Sequence, residues 1–392
     1  MFKKISILGS TGSIGLTTLD IIDKKKKDLK VIFLSADKNY KLICKQIIKY
    51  KPKIYLINDL NIYLKVKKKF KKKKIRIINK IEQIEKKFYC DITISAIPGL
   101  VGLTPTLHMI KLSRKVLIAN KESVICGWDL IKKKANQNNT KIIPVDSEHF
   151  SIFELIKNHK LNEIEKIFIT ASGGPFLNYS ISKLKKVKPK QALKHPKWKM
   201  GKKVSIDSST LMNKILELIE AQKLFNIPLK KLDILIHPDS LVHAIVKFKN
   251  GLTKLIFHET SMLIPLANAM LENNFDINIF ATKKRKLQTG YQKNIIFRKL
   301  NYKIFPIIKI KDRLMEYPST PIIINSANET LVDQFLKQNI DFLDIYKIIL
   351  IIMRDQNYRK YAIQNPSDLK KIFLVDTWVK KRVLEIIKKK YA

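Results

Sequence analysis

Ile5-Ser6-Ile7-Leu8-Gly9-Ser10-Thr11-Gly12-Ser13-Ile14-Gly15 decides how the rest of the chain is read. A short apolar run passes directly into three glycines spaced three apart, and Ile14–Ile22 beyond them has the apolar spacing of a helix. Glycines at a strand-to-helix turn let the backbone bend tightly and approach a pyrophosphate, whose charge then meets the helix N-terminus. The spacing is G-x-x-G-x-x-G rather than G-x-G-x-x-G, so the position after the first strand carries the reading as much as the glycines do. A tight turn with no ligand has the same local pattern.

Working outward, apolar runs recur at Val31–Leu34, Ile54–Ile57, Ile75–Ile78, Ile92–Ala96, Val116–Ala119 and Ile142–Val145, with an amphipathic stretch at Tyr40–Tyr50. Strands at this spacing, separated by helices, form a parallel, doubly wound sheet, which ends near Val145. A second α/β region follows, with strands expected at Ile167–Ala171, Leu232–Ile236, Ala244–Phe248 and Leu252–Phe257. Asn250-Gly251 suits a type I′ hairpin turn. Helical periodicity dominates the last ninety or so residues, at Pro321–Lys337, Asp341–Asp355 and Asp376–Lys390. The expected α/β architecture is therefore an N-terminal Rossmann-like parallel sheet (1–145), a connective α/β region (146–275), a linker (276–298) and a C-terminal helical bundle (299–392).

With 392 residues, 45% of them hydrophobic, the chain can build more than one core. The formal net charge of +44 invites a nucleic-acid reading, but the lysines are spread along the chain, from Lys24–Lys27 to Lys388–Lys390. A nucleic-acid binder concentrates charge and interleaves aromatics for stacking, so no nucleic-acid partner is expected. The charge still favours capture of anionic substrates. Three cysteines with no close pair, Cys44, Cys90 and Cys126, point to a reducing compartment. The longest apolar run, Ile345–Met353, contains Lys347 and is about half the ~18 residues of a spanning helix. Strand-like sequence begins within a few residues of Met1, which leaves no room for a signal peptide. The expected location is cytoplasmic, away from membranes.

Several polar constellations follow strands. Asp37 stands where an acid would bind a ribose 2′-hydroxyl and favour NAD, while Lys38 and Asn39 could hold a 2′-phosphate and favour NADP. Asp146-Ser147-Glu148-His149 follows the last strand of the first sheet. On an extended segment Asp146 and Glu148 would point the same way and could chelate one ion, leaving Ser147 free for a substrate. Such oxygen ligands suit Mg²⁺ or Mn²⁺, although two acids at a strand end also cap helices. In Asp207–Ala221, Ser208 or Ser209 reads as an N-cap. Asn213 and Glu217 then share a helix face beside Lys214, a set fit for a phosphate and a chelated ion or for a mere ion pair. Ser172-Gly173-Gly174 lets Ser172 and backbone N–H groups approach an anion. Trp198, between lysines in a Pro/Gly-bounded loop, could close over a substrate. No H-E-x-x-H, C-x-x-C, P-loop lysine or G-x-S-x-G motif occurs.

Taken together, GSTGSIG (Gly9–Gly15), ANKES (Ala119–Ser123), VDSEH (Val145–His149), SGGPF (Ser172–Phe176), HPKWKMG (His195–Gly201), DSSTLMNKILELIEA (Asp207–Ala221), LIHPDSLVH (Leu235–His243) and NSANE (Asn325–Glu329) resemble the 1-deoxy-D-xylulose 5-phosphate reductoisomerase family, in one order over most of the chain. The resemblance implies NADPH- and divalent-metal-dependent rearrangement and reduction of a phosphorylated sugar, by a homodimer whose connective region is catalytic. It places Thr11, Gly12, Ser13, Ile14, Lys38, Asn39, Asn120, Glu122 and Gly201 against NADPH, with Asp37 beside them. It gives the metal to Asp146, Glu148 and Glu217, and the substrate to Lys121, Ser147, Glu148, Ser172, His195, Ser208, Asn213, Lys214 and Glu217. Lys121, Glu148, His195 and Glu217 form the implied catalytic group, and Trp198 and Met200 the implied flap. Two positions depart from the family: Asp37 stands where glycine is usual, and Leu263 where an arginine is expected. The competing readings are another Rossmann-type NADP dehydrogenase of a small aldehyde, and a basic nucleic-acid-binding protein.

Overall fold

A computed structural model of the chain describes residues 2–85, 87–194, 198, 201–272, 275–280 and 295–391. His195, Met200 and positions 281–294 of the expected linker lie outside the described residues. The strands are β1 (Lys3–Leu8), β2 (Leu29–Ala36), β3 (Ile54–Ile57), β4 (Arg76–Ile78), β5 (Cys90–Ser95), β6 (Ser113–Ile118), β7 (Lys141–Pro144), β8 (Ile164–Ala171), β9 (Leu232–Ile236), β10 (Val242–Phe248) and β11 (Thr253–Phe257). The helices are α1 (Ser13–Lys24), α2 (Tyr40–Tyr50), α3 (Leu60–Lys69), α4 (Leu103–Ile110), α5 (Lys121–Gln137), α6 (Ser147–Ile156), α7 (Ile181–Leu184), α8 (Pro189–Ala192), α9 (Lys202–Ser209) and α10 (Met212–Phe225). They continue as α11 (Leu263–Leu271), α12 (Thr320–Leu336), α13 (Asp344–Ile352), α14 (Tyr358–Ala362) and α15 (Leu369–Tyr391). Two compact units result, one of residues 1–123, 130–146 and 261–288, the other of 124–129, 147–260 and 289–392. No helix of the described residues is long and apolar enough to cross a membrane.

The first unit holds a seven-stranded parallel sheet in the order β4-β3-β2-β1-β5-β6-β7. Ile5, Ile7, Leu8, Phe33, Leu34 and Ile94 are fully buried, as strands covered by helices on both faces require. Strand order reverses at β1, where Ile5 pairs with Val31 on one side and Ile92 on the other. The glycine turn thus sits at the switch point where open α/β sheets bind ligands. Gly9 has φ +84°, and a Cβ there would lie 2.7 Å from the Ala96 carbonyl oxygen. A Cβ on Gly15 would collide with Gly9 and Ser10 backbone, whereas one on Gly12 would meet only the Gly9 oxygen at 3.5 Å. The fold therefore demands glycine at 9 and 15, and Gly12 leaves room for something outside the chain. From beneath, Gln46 Nε2 donates to the Ser10 carbonyl at 2.8 Å and the Tyr55 hydroxyl to Gln46 Oε1 at 2.7 Å, pinning the turn.

The second unit contains a four-stranded mixed sheet, β11-β10-β8-β9, with β8 parallel to β9 and antiparallel to β10. The β10–β11 hairpin forms as expected, but not through a type I′ turn. Asn250 keeps negative φ, Gly251 alone is left-handed (φ +87°), and the Gly251 N–H donates to the Phe248 carbonyl at 3.1 Å. This is a type I turn followed by a glycine bulge. Helix α6 packs on β10 and β11, while α10 packs on β8 and β9 and touches α6, α9 and α12. Enclosed in this way, α10 is buried continuously from Lys214 to Ala221. Helices α12, α13 and α15 pack together, and the Ser326 hydroxyl donates to Asp376 Oδ1 at 2.6 Å.

Candidate functional site

The carboxylate pair starts from a local geometry unlike the extended one expected. Strand β7 ends at Pro144 and α6 begins at Ser147, so Glu148 stands in the first turn of a helix. Asp146 is the residue before that helix, held close by the chain itself rather than by strand alternation. Glu217 projects from α10, packed against α6. Carboxylate oxygens of Asp146, Glu148 and Glu217 lie within 4.8 Å of one another. Asp146, His149 and Glu220 form a second such group. There, however, His149 Nε2 already donates to the Glu217 carbonyl at 3.0 Å, and Nδ1 faces Glu220 Oε2 at 3.3 Å. His149 and Glu220 are buried helix-to-helix braces that the sequence reading did not single out. The i, i+3 spacing of Glu217 and Glu220 was the available signal.

Lys214 joins the acids. Its ammonium donates to Glu217 Oε2 at 2.6 Å and to Glu148 Oε1, with 8% of the side chain exposed. Burial works against its charge, but the two carboxylates more than offset it and hold its pKa above the ordinary lysine value. A surface ion pair is thereby excluded. Asn213 Nδ2 donates to Glu217 Oε1, confirming the shared helix face. Ser147 is not free as expected, since its hydroxyl donates to Glu148 Oε2 at 2.6 Å. In the first unit, Lys121 Nζ pairs with Asp146 Oδ2 at 2.9 Å.

Neither Ser208 nor Ser209 caps α10. Both lie in the last turn of α9, where Ser209 Oγ donates back to the Ile206 carbonyl at 2.8 Å. The break comes at Leu211, whose φ of +65° is rare for a side chain branched beyond Cβ. This turn sets the C-terminal end of α9 beside the N-terminal end of α10, so Ser208 and the Asn213-Lys214 pair flank one bend. Ser172 joins them through a close approach: a Cβ on Gly174 (φ +62°) would lie 2.9 Å from the Ser208 carbonyl oxygen. Ser172 Oγ accepts the Gly174 N–H at 3.1 Å. Serines, an amide, an ammonium and a helix N-terminus brought to one bend are the kinds of group that could hold an anion.

At the nucleotide turn, Gly12 occupies the N-cap position of α1 with no side-chain cap, and Gly12 and Ser13 are exposed. Thr11 and Ile14 are half-buried beside them. Asp37, Lys38 and Asn39 directly follow β2. Asp37 Oδ1 accepts from Asn58 at 3.4 Å, and Asn39 caps α2 by accepting the Leu42 N–H at 3.2 Å. Asn120 is 2% exposed; it donates to the Gly99 carbonyl at 3.0 Å and accepts the Ser123 N–H at 2.6 Å. Glu122 is buried next to it. Gly201 starts α9, with open space where a Cβ would project. In the second unit, Trp198 meets His243 edge-on at 6.1 Å, and His243 stacks on His258 at 4.0 Å. Burial lowers the pKa of His258. Leu263, where an arginine was expected, is 4% exposed and opens α11 as a core residue.

Family models match three successive segments: 1-deoxy-D-xylulose 5-phosphate reductoisomerase at residues 5–127, its C-terminal domain at 142–225, and the DXP reductoisomerase C-terminal domain at 258–382. The chain is 43% identical over 386 residues to the 1-deoxy-D-xylulose 5-phosphate reductoisomerase of Pelagibacter ubique (strain HTCC1062), covering 97% of this chain and 98% of that protein. It is 37% identical over 403 residues to that of Clostridium novyi (strain NT), covering 99% of each. Among solved structures, it resembles DOX-P reductoisomerase in complex with NADPH, fosmidomycin and magnesium, with TM-score 0.90, 29% identity and coverage of 99% and 98%. It likewise resembles the Zymomonas mobilis enzyme in complex with NADPH, with TM-score 0.87, 31% identity and 99% coverage of each chain. With glycine turn, carboxylate group and candidate anion site in one chain that these relatives match nearly end to end, the chain belongs to the 1-deoxy-D-xylulose 5-phosphate reductoisomerase family.

Proposed function

We propose that this chain rearranges 1-deoxy-D-xylulose 5-phosphate and reduces the branched product with NADPH to 2-C-methyl-D-erythritol 4-phosphate, using a divalent ion held by Asp146, Glu148 and Glu217. The observation that carries this reading is the grouping of those three carboxylates beside the Lys214–Asn213 pair. The donor set fits the ion: oxygens alone, with two of the three carboxylates well buried, suit Mg²⁺ or Mn²⁺. When bound, the ion supplies Lewis acidity toward the substrate's carbonyl and hydroxyl oxygens, and NADPH supplies hydride.

The chain's own groups do the rest. Lys214 spends two of its three donors on Glu148 and Glu217, and its third suits a phosphate oxygen. Ser172, Ser208 and Asn213 complete the phosphate grip, which orients carbons far from it. Lys121 steadies Asp146, and Ser147, fixed on Glu148, meets a substrate hydroxyl. His195 and the loop bearing Trp198 and Met200 cover the substrate and exclude water. On the nucleotide side, Thr11, Gly12, Ser13 and Ile14 present the α1 N-terminus to the pyrophosphate. Lys38 and Asn39 take the 2′-phosphate against the charge of Asp37, with Asn120, Glu122 and Gly201 as further contacts. A homodimer has a ready surface in edge strand β11, flanked by Leu252 and carrying Leu255, which are 58% and 40% exposed. A reducing cytoplasm suits three free cysteines.

The test is product identity. Carbon NMR after incubation with 1-deoxy-D-xylulose 5-phosphate, NADPH and Mg²⁺ should show a branched polyol phosphate. Recovery of an unbranched reduced sugar phosphate would leave a simple dehydrogenase and reject the proposal.

A further inference from the structure

Next to Ser208 of the proposed phosphate grip, Asp207 is bonded to a residue far from it in sequence. Asp207 immediately precedes Ser208, is 1% exposed, and has each carboxylate oxygen engaged. Lys203 Nζ donates to Oδ2 at 2.8 Å from one turn back, and Asn328 Nδ2 donates to Oδ1 at 2.7 Å from α12, 121 positions away. Asn328 is itself fully buried. On the opposite side of the same turn, the bare Gly174 lets the Ser172 loop close on the Ser208 carbonyl. Ser208 is thus held between two fixed points, one on the Ser172 loop and one on the C-terminal helices.

We infer that Asn328 is a positioning residue for the substrate phosphate, holding Asp207 so that α9 presents Ser208 beside Ser172, Asn213 and Lys214. The inference rests on the phosphate role given above to Ser208. Three features make the link specific rather than generic packing. The bond joins a charged, buried acceptor to a buried amide, a pairing whose loss leaves a carboxylate oxygen without its donor. It acts one residue from the ligand group, at a helix end followed by the left-handed Leu211, where the chain leaves α9 for α10. Asn328 also sits on a helix clamped from behind, since Ser326 of α12 is bonded to Asp376 of α15. The C-terminal helices thereby act as the rigid backing of the anion site.

The experiment compares Asn328→Leu, which keeps the volume and removes the donor, and Asn328→Ser, which keeps a shorter donor, with Ser208→Ala and wild type. KM for 1-deoxy-D-xylulose 5-phosphate, kcat, competitive inhibition by inorganic phosphate and NADPH affinity are measured on the full chain. A lost charge-assisted bond is worth roughly tenfold or more in an equilibrium. Asn328→Leu should therefore raise KM and the phosphate inhibition constant about tenfold together, with Asn328→Ser between it and wild type. NADPH affinity and kcat should move less than threefold. Unchanged phosphate inhibition in either folded Asn328 variant, with Ser208→Ala impaired, overturns the role of Asn328 alone. Should Ser208→Ala leave phosphate inhibition and KM untouched, the phosphate site itself is misplaced. If the leucine variant does not fold, the serine variant decides: wild-type phosphate inhibition there overturns the inference.

Discussion

Replacing Glu217 by glutamine separates charge from shape at the centre of the account. The side chain is fully buried, with Oε2 2.6 Å from the Lys214 ammonium, Oε1 accepting from Asn213, and its own carbonyl held by His149. Glutamine can keep the Asn213 bond through its amide oxygen, but its NH₂ then faces the Lys214 ammonium, donor against donor. That mismatch costs about 1–3 kcal/mol, a fall of several degrees in melting temperature for a domain of this size. Lys214 retains Glu148, so the fold persists. The ion loses more. A divalent charge about 2.1 Å from a carboxylate gains about 4 kcal/mol even at the dielectric of water, which is about a thousandfold in affinity. Calorimetric titration with Mn²⁺ should show that loss, turnover followed at the nicotinamide band should vanish at ordinary metal concentrations, and NADPH should bind as in wild type. Mn²⁺ affinity within threefold of wild type in a folded Glu217→Gln protein would refute the assignment of Glu217 to the metal.

Gly12→Ala should leave the melting temperature within a degree or two, because the new methyl meets only ordinary contact, yet weaken NADPH binding measured by fluorescence. Gly15→Ala should cost about 3 kcal/mol of stability, since its methyl would lie 2.6 Å from Ser10 Cα; equal melting of the two variants contradicts this. Asp37→Ala should tighten NADPH relative to NADH by about tenfold, the effect of removing one charge about 6 Å from a doubly charged phosphate in water. An unchanged ratio of KM values would remove Asp37 from that neighbourhood. Burial raises the pKa of Asp344, but hydrogen bonds from Lys390 and Tyr391 more than offset it and hold the carboxyl below its ordinary 3.8. A depressed folded pKa gives stability that is present above the unfolded value and lost as pH falls through the folded one. Asp344→Asn should therefore melt earlier than wild type at pH 7, and the gap should close as pH falls below 3.8, as followed by circular dichroism.

The first sheet was legible because parallel strands buried on both faces are continuous apolar runs, and because Gly9 and Gly15 mark a turn where an added methyl would strike backbone. The carboxylates were legible as residues but not in their geometry. Period-two alternation fails where α6 begins at Ser147, one residue after Asp146. Ser208 and Ser209 misled for a related reason: hydroxyls beside an apolar stripe suit a helix start, yet here both serines lie in the last turn of α9, where the Ser209 and Thr210 hydroxyls bond back to the Ile206 carbonyl. The actual break, a left-handed leucine, has no compositional cue, unlike a glycine. Spacing leaves Lys214 open between a ligand group and half of a mere ion pair, because it says nothing of the helices and strands that enclose α10. Least legible were the long-range braces, Asn328 to Asp207 and His149 to Glu217, where nothing local names the partner.

A crystal of the protein equilibrated with Mn²⁺ and measured at the manganese absorption edge locates the ion directly. One anomalous peak within about 2.3 Å of oxygens from Asp146, Glu148 and Glu217 together is the predicted result. A peak on His149 and Glu220 instead, or none near these acids at saturating Mn²⁺, would contradict the account.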